Sequence, residues 1–372
     1  MNQIQQYIEQ AEKLDKEGSL REAAEIYEKA VDLAKKDVTL SQLAIRLYHK
    51  LGCIYSVMLQ YTPARTCFDA AEDLQKQNPG LEIGKEDTIL NLLDLGYFYC
   101  VAGEFSLARD CYRKAMKIVQ ELGPHHTLTA RVYYDYGQSF TEEGQFDKAI
   151  IELKKALSIY EELPDADPSE IGIMKYRIGQ AYYYNEEPEE ALGYCAAAVD
   201  AIKEEYGEGD VRTAILTDFM MDVKKMLEGK QLLAEGKDYL EKHDDRQAFD
   251  CLKKAAALNI ADAICLVGDC YRCGIGVEKD SAMAVKYYEQ GADMEHTESI
   301  LQLANCLYKG EGVAVNLELS AEYMLEAAEA GNQSAMYAIA IRYLEGQGVA
   351  KDEEQANYWL NRARSMTQPF VV

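Results

Sequence analysis

Three cysteines in CLVGDCYRC, namely Cys265, Cys270 and Cys273, have the residue type and the C-x-x-C spacing of a soft-metal or dithiol site. A tetrahedral centre needs a fourth ligand, and only Cys251 or Cys306 could approach, by tertiary folding. Cys306 lies 36 residues after Cys270 and so shares its place in a repeat. The structural reading is stronger: cysteine behaves as a small buried hydrophobe, and a reducing compartment keeps thiols reduced. Five histidines (His49, His125, His126, His243, His296) are scattered. The pair at 125–126 follows Pro124, where a polar helix start belongs. Runs such as GIGVEK, GEGVAV and GQGVAK lack the third glycine of a dinucleotide loop and follow helices. There is no H-E-x-x-H, G-x-S-x-G, P-loop or kinase signature. Carboxylates are so abundant that chance pairs carry no weight. Nothing designates a reaction, so the expectation is a non-enzymatic protein that needs no cofactor. A metal-binding or enzymatic role resting on Cys265, Cys270 and Cys273 is the minor alternative.

What must position any working residue is a repeated packing pattern. A small residue is followed by Ala, an apolar or aromatic residue, and Ala at offsets of 12, 16 and 19. It reads Gly52, Ala64, Phe68, Ala71; Gly96, Ala108, Tyr112, Ala115; Gly137, Ala149, Leu153, Ala156; and Gly179, Ala191, Cys195, Ala198. Ala11, Ala23, Tyr27, Ala30 open the series, and Gly236, Ala248, Leu252, Ala255 form a late copy. Antiparallel helices approach closely only where side chains are small. Gly18, Gly103 and Gly144 fall seven residues after the small residue, where a turn needs a left-handed backbone. Self-similarity at this period predicts an all-α fold, a right-handed solenoid of antiparallel helix hairpins (an α-α superhelix).

From about residue 229 the period becomes 36. Gly274-x-Gly276-Val277 returns as Gly310-x-Gly312-Val313 and as Gly346-x-Gly348-Val349. Ala284, Ser320 and Ala356 follow, then Tyr287, Tyr323 and Trp359.

Over roughly residues 4–206 the chain resembles the tetratricopeptide repeat family, with the long repeats of kinesin-light-chain-like proteins. From 229 to 366 it resembles the Sel1-like repeat family. The expected organisation is an array of five hairpins over 1–209 and a bridging or capping helix over 210–228. A Sel1-like array of four hairpins over 229–366 and a tail at 367–372 complete it. No Ser/Gly/Pro-rich linker separates the arrays.

The resemblance implies that the first helix of each hairpin lines an inner groove. Carried onto this chain, the groove residues are His49 and Cys53, then Leu93 and Tyr97. Arg131, Tyr134, Gln138 and Thr141 follow, then Tyr176, Gln180 and Tyr183. Gln138 and Gln180 can each donate and accept, matching a peptide backbone. The tyrosines offer rigid amphipathic area, although the same rings could instead stack on neighbouring repeats. The carboxylate-gripping Lys/Asn/Lys/Arg set of chaperone-binding members is replaced here by Ile8, Glu12, Leu93 and Tyr97.

Net charge is −25, with both arrays acidic. That disfavours nucleic acid and anionic membrane surfaces. It suits a basic partner, though solubility alone explains it more simply. The first residues, MNQIQQYIEQAEKL, lack a secretory pattern, and no apolar run approaches spanning length. A cytoplasmic location follows by default. The leading expectation is an interaction scaffold or adaptor that binds an extended peptide or partner protein on its concave face. A peptide-sensing regulator is the alternative.

Overall fold

The computed structural model describes residues 2–123 and 126–366. His125, Pro124 and the tail at 367–372 lie outside them. The described residues form eighteen α-helices and no strand, in two compact units that divide at Met220/Met221.

The first unit holds five hairpins: α1 (Asn2–Lys16) with α2 (Leu20–Ala34), α3 (Ser41–Val57) with α4 (Tyr61–Gln77), α5 (Lys85–Val101) with α6 (Phe105–Val119), α7 (Thr127–Glu142) with α8 (Phe146–Glu161), and α9 (Pro168–Tyr184) with α10 (Pro188–Tyr206). The residue sixteen positions on takes the space that glycine leaves. A Cβ on Gly52 would stand 2.8 Å from the Phe68 ring, one on Gly96 2.5 Å from Tyr112, and one on Gly137 2.8 Å from Leu153. Ala64, Ala108, Ala149 and Ala191 are fully buried beside them. The glycine thus admits a ring or branched side chain, and the alanines close the seam around it.

The turns inside the hairpins need a positive φ. Gly18, Gly103 and Gly144 all adopt +77°. The corresponding turns before α4 and α10 instead place Leu59 at +57° and Glu186 at +61°, a conformation that disfavours residues with a Cβ. Pro168 and Pro188 open α9 and α10, where no N–H is needed. His126 is the N-cap of α7, its Nδ1 accepting from the Leu128 N–H at 3.1 Å, the polar helix start expected there. α3 packs directly on α5, and α5 on α7, so these first helices share one side of the array.

In place of a separate bridging helix over 210–228 there is one 31-residue helix, α11 (Val211–Glu241). Its early residues Leu216 and Met220 pack with Ala198, Val199 and Ile202. Its later residues Leu233 and Gly236 serve as the first helix of the leading hairpin of the second unit. Nothing in the sequence between 228 and 229 breaks a helix: no proline, and Gly229 alone costs only about 1 kcal/mol.

The second unit continues with α12 (Asp245–Ala257), α13 (Ala261–Cys273), α14 (Ser281–Asp293), α15 (Thr297–Lys309), α16 (Leu317–Glu329), α17 (Gln333–Glu345) and α18 (Glu353–Ser365). The two glycines of each Gly-x-Gly-Val turn do different work. Gly274, Gly310 and Gly346 end helices in the left-handed conformation. Gly276, Gly312 and Gly348 lie flat on the backbone of Asp245, Ser281 and Leu317, the first residues of α12, α14 and α16. Any Cβ there would fall inside van der Waals contact of a main-chain carbonyl. Second helices are capped at the same 36-residue interval by Asp244, Asp280, Asn316 and Asp352, each accepting from a backbone N–H two or three residues on.

Candidate functional site: a groove along the first helices

Three adjoining hollows of about 530, 350 and 280 Å³ run along α3, α5, α7 and α9. They share walls. Tyr97 borders the first and third, Tyr134 the first and second, Arg131 the second and third. Asp135 borders all three. Among the residues expected here, Cys53, Leu93, Tyr97, Arg131, Tyr134 and Gln138 come together on this face. Gln138 Nε2 donates to Tyr134 Oη at 3.1 Å. One repeat later Gln180 Nε2 donates to Tyr176 Oη at 3.0 Å. The glutamine–tyrosine pair is a built unit that fixes both side chains.

The other expected residues are placed differently. His49 turns into a separate hollow of about 170 Å³ with Arg65, Phe68 and Tyr99. Its Nδ1 has no hydrogen-bond partner among the described residues. Burial lowers its pKa to about 4, so the ring is neutral. Thr141 Oγ1 returns to the Gly137 carbonyl at 3.5 Å. Tyr176 and Tyr183 stand edge-on to Phe219 at 5.4 and 5.2 Å. These two rings pack on α11, outside the tetratricopeptide hairpins, while Tyr97 and Tyr134 border open space.

A row of charges at one repeat position was missed. Lys50, Asp94, Asp135 and Arg177 each sit two residues before the pivotal glycine, and all four border the hollows. At ~100° per residue, that position faces away from the partner helix; of the residues three before the glycine, Leu93 and Tyr134 border the hollows as well, and His49 borders the separate one. The charge sequence along the row, +, −, −, +, was visible without coordinates. The acidic pair is unequal. Arg46 reaches Asp94 across α3 and α5 in a largely buried ion pair, and also donates to Asn91 Oδ1 at 3.2 Å. Asp135 has Arg131 Nε at 3.7 Å, on its own helix and more than half exposed. The Asp135 side chain is 24% exposed. Burial, and then the Asp94 charge, raise its pKa to about 6 against the pull of Arg131. Glu142 and Arg177 also border its largest hollow, and Asp15 and Lys50 the smallest. Glu170 borders the second.

Other chemistry-bearing sets do not assemble. Cys265 and Cys270 are buried in α13, with thiols that burial pushes up to about 12 and 11, while Cys273 is exposed. Among the described residues no three His, Cys, Asp or Glu converge as a metal set. One hydrogen-bonded chain has the residue types of a nucleophile relay: Ser299 Oγ to His296 Nδ1 at 2.9 Å, and His296 Nε2 to Asp262 Oδ1 at 3.1 Å. Ser299 is fully buried, so no substrate can meet its oxygen. The chain caps α15 and ties it to α13. No described helix is long and apolar enough to cross a membrane.

Residues 87–162 match the tetratricopeptide repeat model, and residues 229–260, 261–296, 297–332 and 333–367 match the Sel1 repeat model. Among solved structures, a Sel1 repeat protein from Oxalobacter formigenes is 27% identical over 32% of this chain and 88% of its own, with a TM-score of 0.30. The apo quorum sensor NprR from B. thuringiensis is 16% identical over 99% and 98%, with a TM-score of 0.48. Kinesin-light-chain TPR-like repeats of Podosopora anserina are 16% identical over 54% and 95%, with a TM-score of 0.44. No protein of curated function matches the chain in sequence. The chain thus carries tetratricopeptide repeats in its first unit and Sel1 repeats in its second, on a fold of helix hairpins.

Proposed function

We propose that the first array binds an extended peptide segment of a partner protein along the groove of α3, α5, α7 and α9. The carrying observation is the run of three adjoining hollows on one face, bordered by the Tyr97, Tyr134 and Gln138 side chains. Tyrosine supplies wide contact area at low entropic cost, and Gln138, oriented by Tyr134, is held ready for a peptide group. Leu59, Tyr61 and Tyr97 are exposed around the largest hollow, a grouping of apolar surface that marks interaction sites. The protein acts in this reading as a non-enzymatic adaptor.

Random decapeptides displayed on phage and selected on the full chain test this. Recovered peptides should compete with one another for a single site. By fluorescence anisotropy they should lose tenfold or more in affinity for the Tyr97→Ala/Gln138→Ala variant, whose helicity should be unchanged. Undiminished binding to that variant would place the interaction elsewhere.

A further inference from the structure

We propose that Asp135 reads a cationic side chain, a lysine or arginine set between apolar residues of the bound peptide. This rests on the peptide-binding reading of the groove and adds the partner's chemistry.

Three observations converge. Asp135 is the one residue common to all three hollows, so a peptide threading them passes it whatever its direction. In the charge row its neighbour Asp94 is held by Arg46 in a largely buried ion pair, whereas Asp135 makes a looser one, at 3.7 Å, with an arginine that is more than half exposed. A largely buried carboxylate with a loosely held partner gains from an incoming cation, because charge-assisted hydrogen bonds strengthen as water leaves. The net charge of −25 adds a favourable long-range field.

The apolar flank rests on the exposed side chains at the rim of the largest hollow. Leu59 is 63% exposed, borders the largest hollow and holds φ at +57°. Three of the four equivalent turns carry glycine at this conformation, at Gly18, Gly103 and Gly144. Glu186 holds the same conformation at the fifth turn, so what marks Leu59 is an exposed apolar side chain at the rim of the largest hollow. Leu59, Tyr61 and Tyr97 can pack the methylene stem and the neighbouring apolar residues of the ligand while its charged head reaches Asp135. Cation–π contact with Tyr134 or Tyr97 would add to the grip.

A double-mutant cycle tests the assignment. The best phage-selected peptide is compared with its Lys→norleucine (or Arg→norleucine) analogue on the full chain and on Asp135→Asn. Selected sequences should be enriched in Lys or Arg flanked by apolar residues. Asp135→Asn should weaken the native peptide at least tenfold, and the norleucine analogue should bind both proteins alike. Binding lost in Tyr97→Ala/Gln138→Ala, with no basic enrichment or with additive effects in the cycle, overturns the cation reader and leaves the groove. Failure of the full chain to select any peptide overturns both. Asp135→Asn is isosteric and removes a costly buried charge, so loss through unfolding is excluded by its melting curve.

Discussion

Asp135 has a thermodynamic signature independent of any ligand. Its pKa is raised to about 6 in the folded chain, chiefly by burial, against an ordinary 3.8. Folding therefore favours its protonated form. The associated stability is present below the unfolded pKa and is lost as pH rises through about 6. Two pKa units correspond to roughly 2–3 kcal/mol. Asp135→Asn should gain about 1–3 kcal/mol over wild type at pH 8, and the gap should close by about pH 4. Urea midpoints at the two pH values measure this, the difference cancelling the other carboxylates. A variant no more stable at pH 8 would show that Arg131 already compensates the charge.

At the scale of the helix pair, small residues set the spacing. The offsets 12, 16 and 19 were legible because alternation of glycine, alanine and a ring is a steric code that needs no coordinates. Helix phase was less legible. The tetratricopeptide resemblance gave the groove to His49 and Leu93, yet the row at Lys50, Asp94, Asp135 and Arg177 lies on it as well. A rotation of one residue, ~100°, separates the two sets, and apolar residues occupy both faces of α5, so periodicity alone could not choose. The extent of α11 was hidden for a different reason: its first part carries no repeat signature, its last part is the first helix of a Sel1 hairpin, and no breaker marks the join. Gly312 offers a direct test of the second array's seam. Its φ is +78°, and it lies against the Ser281 carbonyl. Gly312→Ala should destabilise the array by roughly 2–4 kcal/mol, combining backbone strain with a main-chain collision. Hydrogen exchange should show the loss at the amides of α14 to α16, while α5 to α8 keep their protection. Uniform loss over the chain would contradict nearest-neighbour coupling.

For the molecule as a whole, the lasting consequence lies in how Gly276, Gly312 and Gly348 rest on carbonyls instead of side chains. A joint made of main chain is common property: every copy presents the same surface above and below, whatever its decoration. Excising residues 297–332, one full Sel1 match, should let Gly348 seat on Ser281 as Gly312 does now. The shortened protein should melt cooperatively with its helical signal per residue intact, by far-ultraviolet circular dichroism. Removing half as many residues should scramble the stack. Modules coupled in this way can be gained or lost in whole units without redesign of those left behind, so length becomes a free evolutionary variable while the outward-facing residues remain open to new partners.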